Sequence, residues 1–128
     1  MNPNKKANKD EIKFKSHFDK EAVAYSKKYS NKDITGHSFR SRLDIALGML
    51  DNTKINVLLD VGGGPGIYVR SFKGKVKSYT LIDISSEMIK IAKQIDVGEM
   101  QYDCTVASIY DLPFEECFDI ILAIGLFE

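Results

Sequence analysis

The sequence has few cysteines, no long apolar run and no net charge, and each of these absences excludes a class of protein. Its 128 residues include two cysteines, Cys104 and Cys117, without Cys-x-x-Cys spacing, so no disulfide framework is indicated. No stretch approaches the roughly 20 consecutive apolar residues of a membrane helix, and the N-terminus lacks the apolar segment of an export signal. These features predict a cytoplasmic, single-domain protein with reduced thiols.

Positive charge near the N-terminus is too sparse to indicate a nucleic-acid surface. The chain has 18 Lys+Arg and 18 Asp+Glu, a formal net charge of +0. Lys5, Lys6 and Lys9 lack interleaved aromatic residues and are followed at once by Asp10 and Glu11, unlike the basic clusters of nucleic-acid-binding proteins. We interpret this lead as a solvated tail and expect neither a nucleic acid nor a membrane as partner.

Two amphipathic helices are predicted in the first part of the chain. Apolar residues recur every three or four positions over 10–29 and again over 39–50, which is the spacing of one helix face. The polar stretch 31–36 is expected to separate them, and Asp51-Asn52 to end the second. Two of the aromatic residues on the first helix, Tyr25 and Tyr29, have two interpretations, core packing or a lid over a ligand.

From residue 55 onward, strands and helices are predicted to alternate. Continuous apolar strands that alternate with helices are typical of a parallel α/β sheet, covered by helices on both faces and joined by right-handed crossovers. Ser85 is a candidate helix N-cap before the apolar pattern that runs from Met88 to Ile95, and Gly98 a candidate exit cap. The predicted order is strand 55–61, helix 67–72, strand 76–84, the helix after Ser85, strand 102–107 and strand 118–124.

The stretch Asp60-Val61-Gly62-Gly63-Gly64-Pro65-Gly66 directly follows the first strand. In a parallel sheet, ligands bind beyond the carboxyl ends of the strands. Glycines allow positive φ angles and a close backbone approach, and four of them in five positions exceed what a simple turn requires. We therefore predict a ligand-binding loop.

The loop does not fit a phosphate-bearing ligand well. Ile67 occupies the position of the third glycine of the dinucleotide fingerprint, and no Lys-Ser/Thr pair follows as in a phosphate-binding P-loop. Asp60 would repel a pyrophosphate but attract an ammonium or a sulfonium. Asp83, at the end of the second predicted strand, is where a carboxylate accepts ribose hydroxyls in such folds, although it could also cap the following helix. A cationic nucleoside is predicted.

Two segments, VLLDVGGGPGIY and LIDISSEMIKIAK, resemble the cofactor-binding motifs of class I S-adenosylmethionine-dependent methyltransferases, and YDLPFEECFDIILAIGLFE resembles the region that follows. The resemblance covers about residues 55–128 and is closest to the small-molecule branch. It implies a Rossmann-like fold, S-adenosylmethionine as cofactor, a binding domain over 55–128, and a helical lid or cap over 1–54.

The resemblance also implies roles for individual residues. Asp60 and the loop backbone would hold the methionine end of the cofactor and Asp83 its ribose. Where the family has an acidic residue and an apolar one near the adenine, this chain has Ser108 and Ile109, with Asp111 as a nearby alternative. No catalytic residue or metal ligand is predicted. The cofactor-binding residues predicted are Asp60, Gly62, Gly63, Gly64, Gly66, Asp83, Ile84, Met88, Ser108, Ile109 and Ala123.

The function implied is methyl transfer to a small molecule. Methyltransferases that act on the exocyclic amines of nucleic-acid bases resemble one another in an Asn/Asp-Pro-Pro-aromatic turn. The segment 123–126 lacks this turn, so a nucleic-acid acceptor is disfavoured. A non-catalytic cofactor-binding or interaction module stays open, and a nicotinamide-dependent oxidoreductase ranks last.

The chain ends at Glu128, directly after the fourth predicted strand of a family whose sheet has seven. An apolar strand left at a sheet edge favours self-association. The expectations are a fragment of a longer protein, a truncated gene product, or a half-sheet completed by a partner.

Overall fold

The computed structural model describes residues 8–27, 34–50, 54–115 and 118–124. Predictions that concern Lys5, Lys6, Tyr29, Cys117 and the end of the second helix at Asp51-Asn52 lie outside the described residues. Within these ranges no helix combines the length and the apolar character needed to cross a bilayer. In chain order the elements are α1 Lys9–Lys27, α2 Ile34–Leu50, β1 Val57–Val61, α3 Val69–Phe72, β2 Ser78–Asp83, α4 Ser86–Ala92, β3 Gln101–Val106 and β4 Ile120–Leu122.

The four strands form one parallel sheet in the order β3-β2-β1-β4, which confirms the predicted α/β class. Asp60 of β1 pairs with Leu81 of β2 on one side and with Leu122 of β4 on the other. Because all strands run the same way, the loops that follow β1, β2 and β3 meet at one edge of the sheet. That edge holds the glycine loop.

The core lies on both faces of the sheet, but unequally. Successive strand residues point to opposite faces, so Leu58 joins the main cluster and Leu59 a smaller one. Residues of α2, α3 and α4 pack in the main cluster, whereas Phe114 and Phe118 cover the smaller one from the chain between β3 and β4. The described helices therefore contribute mainly to one face.

Most strand boundaries differ from the sequence predictions by one or two residues; β4, for example, is Ile120–Leu122 rather than 118–124. Two larger differences concern helices. Residues 34–36, expected in the break between the first two helices, belong to α2. The helix capped by Ser85, whose Oγ accepts from Met88 N at 3.1 Å, ends at Ala92 rather than near Ile95. The amide of Ile95 bonds to Ala92 O, three residues back, so the last turn is tighter than an α-helix. Ile95 still packs against the main core.

Helix α1 is attached to the start of α4 by a side chain. Asp19 Oδ1 accepts hydrogen bonds from Ser85 Oγ at 2.5 Å and from Glu87 N at 3.2 Å. Lys15 Nζ binds Asp19 Oδ2 at 3.0 Å and Ser86 Oγ at 3.2 Å. The bond from Ser85 is the main reason that the pKa of Asp19 lies below its usual value. Asp19 thus joins the N-terminal helix to the sheet domain.

Replacing Asp19 by Ala should loosen α1 without unfolding the sheet. Loss of the bonds from Ser85 and Glu87 is expected to cost about 1 to 2 kcal/mol of local stability. Hydrogen exchange should then speed up across α1 while the β1 and β2 amides stay protected. The matched control is Glu21→Ala, an exposed acid on the same helix; equal effects from both variants would contradict the attachment.

Candidate functional site

A cavity of about 300 Å³ opens at the carboxyl edge of the sheet, a size at the lower limit of small-molecule sites. One wall is α1, and the other walls are the loops after β1, β2 and β3 together with Met88 of α4. The lining residues are Glu11, Phe14, Phe18, Tyr25, Val61, Gly62, Gly64, Ile82, Asp83, Ile84, Met88, Ala107, Ser108, Ile109, Tyr110 and Ile124.

The cavity brings together most, but not all, of the residues predicted from sequence. Those that line it are Gly62, Gly64, Asp83, Ile84, Met88, Ser108 and Ile109, whereas Asp60, Gly63, Gly66 and Ala123 do not. The lid expected over 1–54 names Tyr25 as a candidate on α1, but not Glu11, Phe14 or Phe18, which also line the cavity. The aromatic stripe of α1 is the signal for the two phenylalanines, but the same stripe is also typical of core packing. Phe14, 59% exposed, lines the cavity instead.

Asp83 is held in the cavity wall by two backbone amides. Its Oδ2 accepts from Gly64 N at 2.9 Å, and its Oδ1 accepts from Ser85 N at 2.8 Å. Burial raises the pKa of Asp83, while these two backbone bonds act against the rise. A carboxylate oxygen can accept more than one hydrogen bond, so each oxygen retains capacity for a hydroxyl. The alternative interpretation of Asp83 as the cap of the following helix does not hold, because the N-cap of α4 is Ser85; the geometry of Asp83 is compatible with a ligand contact.

The amide groups of the glycine loop are already committed to protein acceptors. Gly62 N and Gly63 N both donate to Ile82 O, at 2.9 and 3.1 Å, and Gly66 N donates to Gly63 O at 3.1 Å. Gly64 N is bound to Asp83, and Pro65 has no N–H. A pyrophosphate site depends on loop and helix N–H groups that point at the ligand. The loop is therefore not arranged for an anionic ligand.

Asp60 lies beneath the loop rather than in the cavity wall. It is 1% exposed, and Tyr79 Oη donates to its Oδ2 at 2.5 Å. Burial raises the pKa of Asp60 from 3.8 to about 7; the bond from Tyr79 opposes the rise, and the charge of Asp83 adds to it. Asp60 is thus a buried group that ties β1 to β2 directly under the ligand loop.

Two of the loop glycines serve packing. A Cβ at Gly63 would lie 2.5 Å from Leu81 Cγ and 2.8 Å from Asp60 Oδ2, and one at Gly66 would lie 2.5 Å from Ile95 Cδ1. Gly64 differs, because a Cβ there would meet nothing closer than Tyr25 Cε1 at 3.8 Å. Gly63 and Gly66 therefore let the loop pack closely on the sheet and its helices, whereas Gly64 lines the cavity, as Gly62 does.

At the β3 end of the cavity, the loop after the strand meets α1. Ser108 Oγ donates a short hydrogen bond to Glu11 Oε1 and accepts one from Tyr110 N at 3.1 Å. Together with Asp19 at α4, Glu11 fixes α1 across the cavity mouth. No cluster of potential metal ligands occurs among the residues that the structure describes.

The strand order, the glycine loop after β1 and the carboxylate at the end of β2 define a class I S-adenosylmethionine-dependent methyltransferase fold. A family model described as "Methyltransferase domain" matches residues 59–128. The chain belongs to this family, whose cofactor is S-adenosylmethionine. No curated protein matches the sequence significantly.

Solved structures of low sequence identity share the fold. Magnesium protoporphyrin IX methyltransferase (ChlM) from Synechocystis PCC 6803 with bound SAM has a TM-score of 0.74 and 15% identity, with 92% of this chain and 62% of that one covered. A DhpI-SAM-HEP complex has a TM-score of 0.68 and 20% identity, with coverages of 91% and 51%. YcgJ protein from Bacillus subtilis has a TM-score of 0.53 and 24% identity, with coverages of 64% and 36%. The chain thus spans between 36% and 62% of the length of these structures.

The protonation of Asp60 should make stability depend on pH. A carboxyl group with a raised pKa in the folded state favours folding most when it is protonated, and this contribution is lost as the pH rises from about 4 to about 7. The part of this stability that is lost between about pH 5 and 8, where unfolding is convenient to measure, is on the order of 3 kcal/mol. Urea unfolding across this range should show it in the original chain. In Asp60→Asn, which keeps an acceptor for Tyr79, the slope should be largely absent; equal slopes would rule out this role for Asp60.

Proposed function

We propose that the chain binds S-adenosylmethionine in the cavity and transfers its methyl group to a small-molecule acceptor. The single observation that carries this is Asp83, a half-buried carboxylate that is held by Gly64 N and Ser85 N and lines the cavity. When bound, the cofactor supplies a methyl group already activated on a sulfonium. The protein then has to bind the cofactor and the acceptor, orient them, and exclude water.

The cofactor would lie across the ends of three neighbouring strands. Adjacent strands are about 4.8 Å apart, so the ends of β1, β2 and β3 span about 10 Å, which suits an extended nucleoside. The amino-acid end lies at Gly62 and Gly64 after β1, the ribose at Asp83 after β2, and the base near Ser108 after β3. Ile84 and Met88 would supply apolar contacts to the base.

The ammonium and the sulfonium of the cofactor suit the loop better than a phosphate does. The loop N–H groups are committed to Ile82, Asp83 and Gly63, and a buried carboxyl, Asp60, lies directly below. A nearby ammonium would favour the ionised form of Asp60. The same features argue against a nicotinamide dinucleotide, whose pyrophosphate requires donors from the loop.

The domain organisation that we propose follows the order of the elements along the chain. Residues 55–128 form the cofactor-binding domain, and residues 1–54 form a helical lid or cap. Within the latter, α1 lines the cavity, whereas α2 packs on the main core. In the described part of that lid, Phe14, Phe18 and Tyr25 of α1 face the cavity and would keep water from the sulfonium.

An acceptor of small-molecule size fits this arrangement, because α1 covers the cavity with aromatic rings and presents no basic surface there. One fold neighbour acts on magnesium protoporphyrin IX, which shows that the fold accommodates a small-molecule acceptor elsewhere. Ile124, at the β4 end, and the α1 rings would contact the acceptor. No side chain of the described cavity is assigned as a general base.

Calorimetric titration of the 128-residue chain with S-adenosylmethionine, and separately with NAD, tests the ligand. We expect saturable binding of S-adenosylmethionine only. Asp83→Asn should weaken that binding by about 1 to 3 kcal/mol, because an acceptor for the ribose hydroxyls is lost. Asp103→Asn, an exposed acid on β3, is the matched control. Binding of NAD, or unchanged affinity in Asp83→Asn, would contradict the proposed site.

Turnover needs its own measurement. Transfer of a labelled methyl group from S-adenosylmethionine to members of a small-molecule panel would support catalysis. Tight cofactor binding without transfer to any acceptor would favour the alternative of a non-catalytic binding module.

A further inference from the structure

We infer that Glu11 of α1 is the charged acceptor for the exocyclic amino group of the bound cofactor's base, so that the N-terminal helix selects an aminopurine. The inference rests on the proposed function, since it concerns the base end of the same cavity. It assigns this contact to α1, whereas the sequence placed it in the loop after β3.

The position of Glu11 supports the assignment. Glu11 lies in the first turn of α1 and lines the cavity beside Ser108, Ile109 and Tyr110, at the β3 end. Among the lining residues the carboxylates are Glu11 and Asp83. Asp83 is at the end of β2 and would take the ribose, so Glu11 is the lining carboxylate nearest to the place left for the base.

Ser108 cannot take the same role while it is bound as observed. Its hydroxyl proton points at Glu11 Oε1, and its oxygen accepts from Tyr110 N. Glu11 Oε2 also accepts from Asn8 N at 3.2 Å. Because a carboxylate has about four acceptor positions, these two bonds and one from a ligand amino group are compatible at Glu11. A hydrogen bond from the ligand amino group to the charged Glu11 carboxylate is also stronger than one to the neutral Ser108 hydroxyl.

The attachment of α1 keeps Glu11 in place. Glu11 and Asp19 are eight residues apart, about 12 Å along a helix, and Asp19 is bound to the start of α4. Phe14 and Phe18, between them, line the cavity. The carboxylate is therefore held by a helix fixed at two points rather than by a free side chain on a loop.

A carboxylate at this place discriminates between bases by hydrogen-bond polarity. It accepts from an amino group but repels the carbonyl oxygen that hypoxanthine carries at the same ring position. The unmodified chain should therefore prefer S-adenosylhomocysteine over S-inosylhomocysteine. A glutamine at residue 11 can donate as well as accept, so Glu11→Gln should lose most of this preference.

Calorimetric affinities of both ligands provide the test. In Glu11→Gln, S-adenosylhomocysteine should bind about tenfold to a hundredfold more weakly, and the preference over S-inosylhomocysteine should fall by a similar factor. Asp10→Asn, which makes the same charge change one residue away at an exposed position, should leave both affinities as they were.

A second variant separates direct contact from simple closure of the helix over the cavity. Ser108→Ala removes the bond to Glu11 but leaves the carboxylate, so the preference for the amino-bearing ligand should persist. If Glu11→Gln weakens both ligands equally, or if Ser108→Ala abolishes the preference as fully as Glu11→Gln does, Glu11 only fastens α1 and the inference is overturned. If the unmodified chain binds neither ligand, the proposed function itself fails, and the inference with it.

Discussion

The bonds between the glycine loop and the end of β2 are the constraint on which the site depends. Ile82 O accepts from two consecutive loop amides, and the Asp83 carboxylate accepts from a third and from Ser85 at the start of α4. One strand end therefore fixes the loop of β1 and the entry to α4 at the same time. Because the amides are used internally, the loop presents a surface suited to a cation rather than to a phosphate.

The parallel sheet and the central part of the site could be predicted from sequence because their signals are local. The apolar strands around Asp60 and Asp83 are continuous, and the glycines follow β1 immediately. A local pattern does not show which residues, distant in sequence, a side chain contacts. The sequence predicts a ligand contact for Asp60 but does not show its bond to Tyr79 on the neighbouring strand. It predicts one for Gly63 as well, but does not show the close approach of Leu81, which is a packing reason for glycine at that position.

Helix α1 was the least predictable part for the same reason. An aromatic stripe looks alike whether it faces a core or a cavity, since both surfaces are apolar. The difference lies in two polar contacts made over long sequence separations, Asp19 with Ser85 and Glu11 with Ser108. These attach the helix at both ends of the cavity and leave its aromatic face over the opening. Helix α1 thereby lines the candidate site and does not only cover the sheet.

The close contact between Gly63 and Leu81 has a consequence for sequence variation. A methyl group at residue 63 would collide with the branched end of Leu81 on β2 and with the Asp60 carboxylate on β1. In related chains these three positions are therefore expected to covary: alanine at 63 would be accompanied by a smaller residue at 81 and a shorter one at 60. The loop and the two strands beneath it would then evolve as one unit, whereas Gly64 is constrained by its own backbone, whose φ of +56° favours glycine, rather than by a neighbouring side chain.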